Sequence, residues 1–195
     1  MSNPVGKVAL VTGANKGLGK EIARQLGKQG IIVLVGARDS AKGEQAANEL
    51  KAEGIDARPF LIEITNPEDI QKAAQTIESE FGKLDILVNN AGVLLDREGV
   101  NPETFRKTYE ANVIAPWELT QALLPLIKKS EAGRIVNHSS ILGSITINGS
   151  DQIAADWLTP AYNSSKAALN LLTAIQARYL EGTSVKVNAA HPGWV

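Results

Sequence analysis

The sequence predicts a doubly wound α/β fold, a parallel sheet held between two layers of helices. Three observations carry that expectation. Short β-branched runs alternate with longer amphipathic segments along the 195 residues. The predicted strands are apolar almost without interruption, as in a sheet covered on both faces. A glycine-rich loop sits at the first strand-to-helix joint, where such folds turn.

The elements follow in order. Val8-Ala9-Leu10-Val11 is the first predicted strand and Gly17 to Gln29 the first helix. Ile31 to Val35 is the second strand, followed by a helix from Ala41 to Glu53. Pro59-Phe60-Leu61-Ile62 is the third strand. The next helix, Pro67 to Phe81, opens on proline, whose missing N–H costs nothing in a first turn. Ile86-Leu87-Val88 is the fourth strand. A long helical region then runs from Pro102 to Lys129, and Pro116 marks a kink or break inside it. Arg134 to Asn137, Tyr162 to Leu180 and Val185 to Ala190 complete the pattern as strand, helix and sixth strand. With no composition break or linker, residues 1–195 read as one domain.

Composition narrows the function classes. Forty-four per cent apolar and 21% charged residues describe an ordinary globular chain. A net charge of −1 with interspersed signs leaves no basic stripe for nucleic acid and no polybasic membrane patch. There is no cysteine, so disulfides and thiolate metal sites are excluded, and no other metal site is expected. No apolar leader and no membrane-length stretch is visible, which makes the cytoplasm the expected location.

The loop Thr12-Gly13-Ala14-Asn15-Lys16-Gly17-Leu18-Gly19 has the spacing Gly-x-x-x-Gly-x-Gly. Gly13 permits a tight turn, Gly17 lets backbone approach a pyrophosphate, and Gly19 allows close packing behind it. The helix that follows offers free N–H groups and a positive dipole end. Gly13, Asn15, Lys16, Gly17, Leu18 and Gly19 are therefore candidate nucleotide contacts. At the end of the second strand, a carboxylate would suit a ribose 2′-hydroxyl and an arginine a 2′-phosphate. The strand ends Val35-Gly36-Ala37-Arg38, with Lys16 as a possible second cation, so NADP(H) is the expected cofactor.

Tyr162 and Lys166 stand four residues apart at the head of a helical run, which points a phenol and an ammonium from one face. A free tyrosine titrates near pH ~10, and a fixed cation beside it would draw that value toward neutrality. Such a pair suits general acid–base catalysis.

Six motifs in register make the chain resemble the short-chain dehydrogenase/reductase family: Thr12 to Gly19, Asn89-Asn90-Ala91-Gly92, Asn112, Ser139-Ser140, Tyr162 to Lys166, and Pro192-Gly193. Ala14-Asn15-Lys16 and Ala37-Arg38-Asp39 resemble NADPH-dependent carbonyl reductases within it. The resemblance implies a Rossmann-type fold and hydride exchange between a small-molecule carbonyl and an alcohol. It implies Tyr162 as proton donor and Lys166 as the ribose-binding cation that tunes it. Ser140 would bond the substrate oxygen, with Ser139 as the fallback. Asn112 would hold a water in a proton relay. Asn89, Ala91, Gly92, Pro192 and Gly193 would line the cofactor, and Glu63 and Ile64 would stand where the family places an aspartate for adenine.

Departures from the family pattern are as informative. The segment between Ser140 and Tyr162 is long and carries Asp151, Asp156 and Trp157. In carbonyl-reductase-like members an insertion here covers the helical face used for dimerisation, which points to a monomer while leaving a homo-oligomer open. Trp157 is expected to pack, and His138 and His191 read as structural. The sequence ends at Val195, just past Pro192-Gly193, so the final strand and substrate lid of the family are expected to be missing. Two other classes remain in view: a catalytically weak NADP-binding regulatory module of the same fold, and a methyltransferase. Arg38 argues against the second, which would want an acid at that position.

Overall fold

The computed structural model describes residues 6–150 and 154–193; Asp151, one of the residues singled out above, lies outside them. The strands are β1 Val8–Val11, β2 Ile32–Ala37, β3 Ala57–Leu61, β4 Ile86–Asn89, β5 Arg134–His138 and β6 Lys186–Ala190. Between them run α1 Gly17–Lys28, α2 Ser40–Ala52, α3 Pro67–Phe81, α4 Pro102–Tyr109, α5 Ala115–Ile127, the single turn α6 Ile145–Asn148, and α7 Pro160–Tyr179. All strand pairs are parallel in the order β3-β2-β1-β4-β5-β6, which makes this a Rossmann-type doubly wound sheet.

Alternate residues of each central strand feed opposite faces, and both faces are covered. Leu10, Leu34, Leu87 and Ile135 pack with Ile70 and Ile77 of α3 and Leu119 and Leu123 of α5. Val11, Val33, Val35 and Val88 pack on the other side with Ala23 of α1 and Ala46, Ala47 and Leu50 of α2. That two-sided burial explains the unbroken apolar runs. β6 differs: Val187 is buried, but Lys186 and Asn188 alternate with it and are exposed. Among the described residues no helix is long and apolar enough to cross a membrane.

The predicted break near Pro116 is real but displaced. Residues Glu110–Ile114 form a π-turn joining α4 to α5, with the Ala115 N–H bonded to the Glu110 carbonyl. Pro116 has no N–H to give the carbonyl four residues back, so the register must change just upstream of it. Asn112 sits in that turn. The order reverses between β1 and β4, and this switch point opens a crevice at the C-terminal ends of the strands.

Candidate active site

The glycine loop after β1 shapes one wall of that crevice. Gly13 adopts φ +64°, and a Cβ there would stand 3.1 Å from the Ala91 Cα. Gly17 (φ +55°) heads α1 with open space before it. Gly19 packs back on the loop, where a Cβ would lie 2.5 Å from the Gly13 carbonyl oxygen. Beyond the loop lies a cavity of about 520 Å³ lined by Gly13, Asn15, Lys16, Gly17, Leu18 and Gly19, by Arg38, Glu63 and Ile64, and by Asn90, Ala91 and Gly92. A second cavity of about 210 Å³ shares Asn90, Gly92 and Val93 with it and adds His138, Tyr162 and Lys166. The two cavities meet at Asn90, Gly92 and Val93, and with the open N-terminus of α1 in the wall of the larger they form a trough suited to a dinucleotide.

The two halves are joined by Thr12. Its hydroxyl donates to the Val88 carbonyl (3.3 Å) and accepts from the N–H groups of Asn90 and Ala91 (3.0 Å each). Asn90 donates through Nδ2 to the carbonyls of Thr12 (2.8 Å) and Gly13 (3.3 Å). Asn89, expected to line the cofactor, stands outside the lining of both cavities. It is 3% exposed, and its Nδ2 donates to Asn137 Oδ1 (2.8 Å) and Thr120 Oγ1 (3.1 Å). As the last residue of β4 it keeps the inward phase of the strand, and Asn90 lines the trough in its place.

At the far end, Arg38 follows β2 with its side chain 79% exposed and its Nη1 4.0 Å from the Glu63 carboxylate. Asp39, the next acid along the chain, is engaged elsewhere: it caps α2 by accepting from the Lys42 N–H at 3.0 Å, which holds its carboxyl below the usual range. Glu63 is bound back on its own turn, accepting from the Thr65 hydroxyl at 3.1 Å.

The other end is built on α7. Tyr162 and Lys166 share a face of this helix, with Lys166 Nζ 5.6 Å from the Tyr162 ring centroid. Lys166 is 6% exposed and donates to the His138 carbonyl at 2.7 Å. Burial lowers its pKa to about 8. Burial also raises the Tyr162 phenol above its ordinary value, and a hydrogen bond from the Ser140 hydroxyl works against that rise. The net direction is opposite to the expected pull of the lysine cation. The ammonium stands over the ring and is tied to β5 through the His138 carbonyl.

Ser140 is thus brought to Tyr162, whereas Ser139 is buried and donates to Asn170 Oδ1 at 2.6 Å. Asn112 is 1% exposed and fully engaged: Oδ1 accepts from the Val93 N–H (2.8 Å), and Nδ2 donates to the Val93 carbonyl (2.9 Å) and Ser165 Oγ (3.1 Å). Its side chain holds the β4 loop against α7. Gly92 makes room for this, since a Cβ there would stand 3.0 Å from Asn112 Oδ1 and 3.7 Å from Lys166 Nζ. Pro192 and Gly193 follow β6 at the same edge of the sheet, both exposed and outside the lining of the two cavities.

Two residues escaped the sequence reading. Asp96, buried in a 3-10 turn after β4, accepts from the N–H groups of Ala161 (2.8 Å) and Tyr162 (3.1 Å) and so caps α7 from 65 residues away. The next residue, Arg97, lies over the Trp157 ring at 5.3 Å, which gives that tryptophan its packing partner. His138, read as structural, faces the cavity of Tyr162 and Lys166. Its position at the end of β5, two residues before Ser140, was the available signal.

Comparison with known proteins agrees with the geometry. A family profile described as short chain dehydrogenase matches residues 7–195. The short-chain dehydrogenase anuI of Penicillium roqueforti is 38% identical, over 96% of this chain and 78% of that protein. Retinol dehydrogenase 12 of Mus musculus is 36% identical; the match covers 97% of this chain, which spans only 62% of that relative's length. Among solved structures, a metagenomic short-chain oxidoreductase in complex with NADP superposes with a TM-score of 0.84 at 33% identity, covering 97% of this chain and 83% of that one.

Proposed function

The chain belongs to the short-chain dehydrogenase family of oxidoreductases, and on that premise we propose that it is an NADPH-dependent reductase of aldehyde or ketone carbonyls. The observation that carries this reading is the Tyr162–Lys166 pair, with Ser140 beside Tyr162, in a cavity that shares Asn90, Gly92 and Val93 with the one the glycine loop lines. Residues 1–195 would act as one dinucleotide-binding unit, independent of metal.

The residues divide the work along the trough. The α1 N-terminus and the backbone of Gly13 to Gly19 would hold the pyrophosphate. Arg38, with Lys16 near it, would hold a 2′-phosphate, since Asp39 is occupied by its cap. The NADP held by a structural neighbour supports the same choice. When bound, the nicotinamide supplies the hydride. Ser140 would donate a hydrogen bond to the substrate oxygen as charge develops there. Tyr162, with its pKa raised by burial, is protonated near neutrality and so stands in the acid form that carbonyl reduction requires. Lys166, with a pKa of about 8, carries a proton at pH 7 and supports the phenolate left behind.

The test is NADPH oxidation against a panel of aldehydes, ketones, quinones and ketoesters, with NADPH binding followed by its fluorescence. Tyr162→Phe is expected to lower turnover by at least about 10³-fold, as for removal of a general acid, while NADPH affinity stays within a few-fold. Undiminished turnover in Tyr162→Phe would exclude the proposed mechanism.

A further inference from the structure

His138 ends β5 with its ring half-buried against the cavity that holds Tyr162 and Lys166. Its Nδ1 lies 2.8 Å from Asn90 Oδ1. The orientation of that amide is set independently, because Asn90 Nδ2 faces two carbonyl oxygens, of Thr12 and Gly13, and must be the donor side. Asn90 Oδ1 is therefore an acceptor, and His138 Nδ1 carries the proton. In the neutral ring that leaves Nε2 as a bare lone pair. Among the described residues no donor meets Nε2, although the ring stands in the cavity wall.

The surrounding charges favour the neutral ring. Lys166 and Tyr162 face it from α7, and His191 from the residues after β6. A proton on His138 would put a second cation beside Lys166, whose Nζ is already bonded to the His138 carbonyl. Burial, the Lys166 charge and the His191 charge all hold the imidazole below its ordinary pKa. An acceptor kept neutral near pH 7, with its other nitrogen tied to the glycine loop through Asn90, is a built recognition feature.

We propose that His138 is a ligand-binding residue of this site, its Nε2 accepting a hydrogen bond from a hydroxyl or amide N–H on the nicotinamide half of the bound dinucleotide. This rests on the dinucleotide reading above. The residue is held on both sides: its ring through Asn90 to the glycine loop, and its main-chain oxygen by Lys166.

The experiment measures the NADPH dissociation constant by fluorescence at pH 7.5 and 5.5 for wild type, His138→Val and His138→Gln, with thermal melts alongside. Loss of one hydrogen bond predicts about a 10-fold weaker complex for His138→Val at pH 7.5, with His138→Gln, whose amide oxygen can accept, within about 3-fold. The wild-type complex should weaken as the pH falls through the titration of His138, where the acceptor becomes a donor, and the His138→Gln complex should weaken less. If His138→Val does not fold, the pH contrast between wild type and His138→Gln decides. Equal NADPH affinity in all three proteins at both pH values overturns the proposal, as does an effect confined to the KM of the carbonyl substrate. Failure of wild type to bind either NADPH or NADH would instead remove the dinucleotide reading, and this inference with it.

Discussion

Lys166 Nζ donates to the main-chain oxygen of His138 at 2.7 Å, which fastens the middle of α7 to the tip of β5. The bond leaves a nearly inaccessible ammonium with its pKa lowered to about 8 by burial. An unfolded lysine titrates near 10.4, so the unfolded chain binds more protons between those values. Wild-type stability should therefore rise with pH across about pH 8 to 10.4 through this group. Lys166→Met lacks the effect. The difference in unfolding free energy between the two should shift in favour of wild type by about 3 kcal/mol between pH 7 and pH 10.5. Denaturant melts at the two pH values measure it, and a difference independent of pH would contradict the assigned burial.

Asp96 supplies two of the acceptors that the first turn of α7 needs, from a loop far away in sequence. Asp96→Ala leaves those N–H groups bare. The cost is about 1–3 kcal/mol, or roughly 2–12 °C in Tm for a chain of this size. Because the bond reaches the Tyr162 N–H itself, kcat should fall while NADPH affinity holds. Unaltered Tm and kcat would show that the cap is dispensable.

Arg38→Asp replaces the guanidinium over the far end of the trough with a carboxylate. Losing a charge-assisted phosphate contact should weaken NADPH by about 10- to 100-fold and move preference toward NADH. Binding titrations with both nucleotides check it; an unmoved ratio places the 2′-phosphate elsewhere.

Asp85 lies just before β4, at the end of the central strands opposite the crevice, 4% exposed. Burial pushes its pKa up, but hydrogen bonds from the Ser130 hydroxyl (2.6 Å), the Val8 N–H (2.9 Å) and Lys83 outweigh it, and the net value is lowered. Its contribution is present above the ordinary carboxylate pKa and is lost as pH falls through the lowered one. Asp85→Asn should cost about 2–4 kcal/mol near pH 6, and the gap to wild type should narrow below about pH 4. A gap that is constant with pH would mean that the carboxylate charge does nothing there.

The strand–helix alternation was legible because burial on both faces writes itself as continuous apolar runs, as in Val33 to Val35. The glycine loop was legible because left-handed turns and close approaches exclude side chains at Gly13 and Gly19. What failed were matters of one-residue phase and long-range partnership. Asn89 and Asn90 are chemically identical, and only the exact end of β4 decides which faces the trough. Pro116 announced a break, yet the backbone absorbed it upstream as a π-turn, because the missing N–H is felt by earlier carbonyls. Asp96 has no local signature at all, and His138 has only its place at the end of β5. Their roles depend on Tyr162 and Asn90, which are distant in the chain.

Thr12 has a consequence that reaches beyond its three bonds. By stitching β1 to the residues after β4, it sets the width of the crevice when the chain folds. A guest entering there meets a jaw already bonded across and need not organise one. Its association should accordingly proceed without a slow isomerisation phase in rapid mixing, and most of the entropy loss on docking should fall on the guest.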